Sequence, residues 1–169
     1  NALEQALLKL SERDPRFLLT LNIFSITIRS DIRAGQLCAL DLSRMIWNDD
    51  GTSSYLSRVK NRGGGMVRTD FSRRATALLR EAIELTAEAR AVCPSDGLQN
   101  SLYLYRGLRP TDQHMAVMNI NRYNEDLAEA CNLAGIEHIS SGNVRDTRQT
   151  AVARFVRRHN LNDAQKATL

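Results

Sequence analysis

The sequence is poor in the features that would hold a chain together without a hydrophobic core or place it in a membrane. Its three cysteines, Cys38, Cys93 and Cys131, are an odd count, far apart and set among Leu and Ala. That excludes a disulfide framework and fits buried free thiols in a reducing compartment. No Cys-x-x-Cys pair and no histidine at zinc-ligand spacing occurs, so no metal is expected. Long hydrophobic runs are missing as well. The longest, 17–28, is broken by Thr20, Asn22, Ser25 and Thr27 and falls well short of the ~20 residues that cross a bilayer. No membrane partner is expected. The chain does not open with a charged segment, an apolar run and a small-residue cleavage site, so export is not expected and the cytoplasm is the expected compartment.

What is present is ordinary globular composition, 43% hydrophobic and 25% charged over 169 residues, which excludes disorder and a coiled coil. Residues 3–169 read as one domain with a sizeable core, and Asn1-Ala2 is set aside as a cloning remnant. The net charge of +4 conceals an asymmetry. Acidic residues gather in 81–88 and 125–137, whereas 145–158 carries five arginines against one aspartate. A local basic surface of that kind suits a polyanion such as nucleic acid.

Apolar residues at positions 3, 6, 7 and 10 predict an amphipathic helix over 2–10. Asp14-Pro15 opens a second helix to about residue 28 that is apolar nearly all round and therefore central. A short helix is expected at 34–40. Three β-prone segments follow, 44–47, 53–59 and 66–71, separated by Asn48-Asp49-Asp50-Gly51 and by Asn61-Arg62-Gly63-Gly64-Gly65, which predicts a small three-stranded antiparallel sheet. A long helix is expected over 72–91, a loop-rich stretch around the apolar piece 102–105, a turn at 107–110, and helices at 120–134, 144–159 and from 162 onward. The fold class is α+β, mainly helical.

Two arginines stand out. Arg33 precedes Leu37 and Leu40 by four and seven residues, and Arg148 is four from Val144 and Val152 and seven from Phe155, so helical spacing puts each guanidinium on an apolar face. A buried arginine needs an anionic partner. An internal salt bridge or a stem lying along apolar surface would satisfy each one. So would a shared external phosphate, because guanidinium forks match pairs of phosphate oxygens and stay charged. A clamp of that kind suits phosphoryl transfer, where fixed donors stabilise the charge on the transition-state oxygens.

The residues around them carry a family resemblance. Ser30-Asp31-Ile32-Arg33-Ala34-Gly35-Gln36-Leu37-Cys38-Ala39-Leu40 resembles the first arginine box of the tyrosine recombinases, or phage integrases, T-G-L-R-I-S-E-L-L-A-L. Arg145-Asp146-Thr147-Arg148-Gln149-Thr150 is similar to their second box, H-D-L-R-H-T. Between the boxes lie a three-stranded sheet, a lysine near the turn after its second strand, and a helical stretch, in the family's order. The resemblance implies a tyrosine-recombinase catalytic-domain fold over 3–169, double-stranded DNA and other recombinase subunits as partners, and no metal or nucleotide cofactor. It implies that Arg33 and Arg148 bind the scissile phosphate, that Lys60 protonates the leaving 5′ oxygen, and that Arg145 adds charge to the pocket. Arg154, Arg157 and Arg158 are further candidates for DNA contact, against an ordinary solvated helix face. The implied host is bacterial or phage-encoded, a mobile element.

The chain departs from the family in three places. Gln36 replaces the first-box glutamate and accepts a hydrogen bond without offering a full charge. Arg145 replaces the second-box histidine and does not act as an acid or base near neutral pH. The four tyrosines, Tyr55, Tyr103, Tyr105 and Tyr123, all precede the second box, and the family's nucleophilic tyrosine follows it by more residues than remain here. The expectation is therefore a catalytic-domain fragment, inactive alone, whose full-length protein recombines DNA through a phosphotyrosine intermediate. A non-catalytic DNA-binding or regulatory protein with the same fold is the alternative. A helical protein-interaction domain is the third reading. Shifting the second box to make Arg145 its arginine loses the matches at Asp146 and Thr150.

Overall fold

The 3.6-residue apolar period of the first segment folds as α1 (Ala2–Ser11), with Leu3, Ala6, Leu7 and Leu10 buried. The protein is described by a computed structural model that covers residues 2–30, 32–58, 65–94, 96–106, 115–144 and 146. Helix α2 (Arg16–Thr27) starts where the Asp14 carboxylate accepts the Arg16 amide at 2.9 Å, satisfying one of the amides a helix leaves open at its start. Nine of its 12 residues are buried, as a helix apolar nearly all round requires. The polar ones among them are all bonded. Asn22 donates to the Leu78 carbonyl and accepts from the Tyr103 hydroxyl, and Thr27 donates to the Ile23 carbonyl.

Helix α3 (Ala34–Cys38) and a 3-10 turn (Leu42–Arg44) lead into an antiparallel sheet of order β1 (Met45–Trp47), β2 (Ser53–Arg58) and β3 (Met66–Phe71). Tyr55 faces Met45 on one side and Thr69 on the other, and Arg58 faces Met66 at the end of the hairpin where the two strands are connected. Phe71 anchors the sheet in the core, while the outer end of β3 leaves Met66 and Val67 exposed. Ser72 caps α4 (Arg73–Leu85) by accepting from Ala75.

The helix expected to run to residue 91 is broken at Thr86, and α5 (Ala87–Ala91) follows as a separate piece. The Thr86 hydroxyl donates to the Ala82 carbonyl and lies within bonding reach of the Leu102 carbonyl, while Arg90 reaches the Thr86 hydroxyl and the carbonyls of Gln99 and Ser101. These bonds draw the chain out of the helical path toward the strap around α6 (Asp96–Gln99). A second departure is a two-stranded antiparallel sheet, β4 (Leu104–Arg106) with β5 (Met115–Val117), in the stretch read as loop. The turn expected at 107–110 lies outside the described residues. Helix α7 (Ile120–Ala134) matches its expected bounds, capped by Asn119 at the start and by left-handed Gly135 at the end. The helix expected from 144 already begins at 141, and its continuation, like the one expected from 162, lies outside the described residues.

Helices α1, α2 and α7 pack on one another, with α3 and α4 against α2. One buried ionic cluster lies inside this apolar packing. The Asp126 carboxylate on α7 accepts from both Arg16 Nε and Nη2 at 3.3 and 3.2 Å and from the Thr20 hydroxyl at 2.8 Å, and Arg122 lies 3.4 Å away. Asp14 pairs with the same Arg16 at 3.0 Å. Burial raises the Asp126 pKa, with the Thr20 hydroxyl and the Arg16 guanidinium opposing the shift. Asp126→Ala leaves Arg16 short of its partner in the core, and urea unfolding is expected to show a loss of about 3–5 kcal/mol. Asp126→Asn keeps an acceptor for Thr20 and should lose less.

Candidate nucleic-acid interface

Arg33 is the one expected site residue that falls within the described part of the chain. It is the N-cap of α3, with φ −73° and ψ 142°, so it stands outside the helix rather than in it. Helical face counting therefore does not apply, and the expected burial on the face of Leu37 and Leu40 is not found. Those leucines and Ile32 are buried, whereas Arg33 is exposed and makes no ion pair with a described residue. Its backbone is fixed all the same. The Gln36 side-chain carbonyl, three residues on, accepts the Arg33 amide at 3.1 Å, which is the return half of a capping box.

Opposite α3 stands the segment that leads into the second box. Ser140 and Asn143 hold its first turn, with the Ser140 amide and hydroxyl donating to Asn143 Oδ1 at 3.0 and 2.7 Å. The Ser141 amide donates to Asn124 Oδ1 of α7 at 2.9 Å. Between the two walls is a cleft of about 350 Å³ bordered by Arg33 and Gln36 on one side, Gly142 and Asp146 on the other, and Ile120 of α7 at its base. The first box and the start of the second thus meet at one opening. Ile120, Asn124 and Ser141 were not singled out from the sequence. Ser140-Ser141-Gly142-Asn143 is the missed signal, a capping pattern three residues earlier than the expected helix start.

Lys60, Arg145, Arg148, Arg154, Arg157 and Arg158 lie outside the described residues. So do His114 and His159, and His138 is exposed. On the strand that follows the Lys60 turn, Arg68 is engaged by Asp70 at 2.7 Å, and the Ser54 hydroxyl and Arg68 lower the Asp70 pKa.

None of the tyrosines lines the Arg33 cleft. Tyr103 and Tyr123 are fully buried, and burial raises both phenols far from the range in which they ionise. The Tyr55 hydroxyl reaches the Ala39 carbonyl at 3.4 Å. Tyr105 borders a different and larger cavity of about 650 Å³, where Arg16 is already paired with Asp14 and Asp126. All three cysteines are buried and none is in a disulfide, and burial pushes the Cys38 thiol up to about 12. Among the described residues no cluster of His, Cys, Asp and Glu is placed to hold a metal, and no helix is long and apolar enough to cross a membrane.

No protein-family model and no curated protein matches the chain in sequence. Solved structures do match it in fold. The site-specific recombinase XerH bound to its difH substrate, in a pre-cleavage complex, superposes with a TM-score of 0.58 at 13% identity, covering 94% of this chain and 41% of that one. A post-cleavage complex of XerH with palindromic difH gives 0.59 at 13% identity, over 94% and 40%. The fold is tyrosine recombinase-like. The chain spans about two fifths of the length of these recombinases.

The two caps that shape the cleft are testable without DNA. Gln36→Ala and Ser140→Ala should each lower stability by about 1 kcal/mol in urea unfolding, the usual cost of a lost cap. Gln36→Glu keeps the acceptor and adds a favourable charge to the first turn of α3, so it should match or exceed the parent.

Proposed function

We propose that this chain is part of the catalytic domain of a tyrosine recombinase, which cleaves and rejoins double-stranded DNA together with other recombinase subunits. The observation that carries the proposal is the cleft between α3 and residues 141–146, where exposed Arg33, which has no ion pair among the described residues, faces the start of the second box. An arginine held by its backbone and without a carboxylate partner among the described residues is available to a phosphate. The recombinase-like fold over 94% of the chain supports the same reading.

In this reading Arg33 and Arg148 hold the non-bridging oxygens of the scissile phosphate and stabilise the charge that builds on them. A tyrosine hydroxyl attacks phosphorus and gives up its proton to solvent, while the bond to the 5′ oxygen breaks and that oxygen leaves with a proton from Lys60. The covalent 3′-phosphotyrosyl link conserves the bond energy until a second strand's 5′ hydroxyl attacks it and reseals the backbone. No metal or nucleotide takes part. Arg145 contributes charge where the family has a histidine, and Arg154, Arg157 and Arg158 extend the basic surface along the duplex. The protein acts where the DNA is, in the cytoplasm of a bacterium, and is encoded by a mobile element or phage.

The 169-residue chain supplies phosphate-binding groups without a nucleophile, since none of its tyrosines borders the cleft. It should bind duplex DNA weakly and with little sequence preference, with affinity falling steeply as salt rises. Arg33→Ala should cost about tenfold at low salt, or about 1.4 kcal/mol, and reduce the salt slope by about 0.9. Fluorescence anisotropy with a labelled duplex reads both quantities, and binding indifferent to salt and to Arg33 would refute the interface. Incubated with a nicked suicide duplex, the chain should form no covalent adduct. A chain extended through a downstream tyrosine should form one, reduced about 10²–10³-fold by Arg33→Ala. Gln36 and Arg145 favour a second reading, a DNA-binding protein that keeps the fold without cleaving. An extended chain that binds its own site yet gives no adduct would establish it.

A further inference from the structure

The cleft has two walls contributed by distant parts of the sequence, and their spacing has to be set by something that touches both. Helix α7 does. The α3 wall rests on its first turn, where a Cβ placed on Gly35 would lie 4.0 Å from Ile120 Cγ1. One turn later Asn124 accepts the Ser141 amide at 2.9 Å. Ile120 and Asn124 are four residues apart and so share a face of α7.

The Asn124 bond falls at a sensitive place. The amides at a helix start have no partner within the helix, and the Ser140–Asn143 pairing serves the ends of that turn. Asn124 takes the amide between them, which fixes the turn against α7 rather than only within itself.

We propose that Asn124 is a positioning residue of the phosphate cleft, setting the distance between Arg33 and the wall made by Ser141, Gly142 and Asp146. The inference rests on the DNA-binding reading above and adds to it the residue that tunes the site. Asn124 carries no charge and does not touch the phosphate. It acts through the Ser141 amide, so removing it changes how well the site fits a phosphate without changing how many counterions the DNA releases.

The test is duplex-DNA affinity across a salt series, with thermal unfolding measured on each variant. Asn124→Ala should weaken binding about three- to tenfold, the range of one net hydrogen bond, with the salt slope unchanged. Ser141→Pro removes the same bond from the donor side, at the first helical position where proline is well tolerated. It should give the same loss and serves if Asn124→Ala does not fold. The double variant should bind no more weakly than either single one. Asn119→Ala, which uncaps α7 without touching the far wall, should lower the melting temperature and leave the affinity of the folded protein intact. Losses at Asn124 and Ser141 that add together, or a loss at Asn119 equal to that at Asn124, would overturn the positioning role while leaving the interface standing. An Arg33→Ala variant that binds like the parent would overturn both.

Discussion

The rotation of α7 about its own axis is the constraint on which the rest depends, and two polar residues on the flanks of its apolar stripe fix it. Tyr123, Leu127, Ala130 and Cys131 form that stripe and are fully buried. At about 100° per residue, Asp126 and Asn124 are about 200° apart and stand on opposite sides of it. Asp126 receives Arg16 and Thr20 of α2, while Asn124 receives the amide of Ser141. A carboxylate that would be costly to bury alone is held by two arginines and a hydroxyl, and its position admits little rotation of the helix. Anchored on the α2 side, α7 presents its other flank as a fixed support for the cleft.

The same physics separates Arg16 from Arg33, each of which borders a cavity. The larger cavity, about 650 Å³, contains Arg16, and the smaller, about 350 Å³, contains Arg33. Size alone would favour the first. Arg16 lies in the core with two carboxylates around it, so an arriving anion would have to displace partners already desolvated. Arg33 is solvated and has no such partner among the described residues. On the recombinase reading, the phosphate therefore belongs in the smaller opening.

How much of this was legible in the sequence follows from how local each cause is. Helices α1, α2 and α7 and the strands β1 to β3 were legible because period and turn residues act within a few positions, and α7 matched to the residue. The break at Thr86 was not, because it is made by Arg90 and the carbonyls of 99–102 rather than by any residue that breaks helices. Strands β4 and β5, at three residues each, are too short to show alternation. Arg33 was placed on a buried face because face counting assumes a helix at that position, and an N-cap is one residue outside it. The four residues from Ser140 held a cap that was legible, but the apolar period starting at Val144 drew the helix boundary past it.

Gln36 stands where the first box of the recombinases that this sequence resembles has a glutamate, and that bears on where charge in the cleft would come from. The bond Gln36 makes is to the Arg33 backbone amide, and an amide oxygen makes it as well as a carboxylate does. Backbone placement thus survives the loss of the charge, and position 36 adds no anion to the wall that carries Arg33. Asp146 remains as the only carboxylate bordering the described cleft, so one positive and one negative group face each other there and cancel at a distance. On the recombinase reading, a phosphate is drawn in by cations beyond this pair. Arg145 would supply one of them at the position where the family carries a histidine that is neutral for part of the time. On that same reading a fixed positive charge at that position, in place of a titratable ring, would strengthen phosphate capture while removing a group that shuttles protons, and would make binding and cleavage separable.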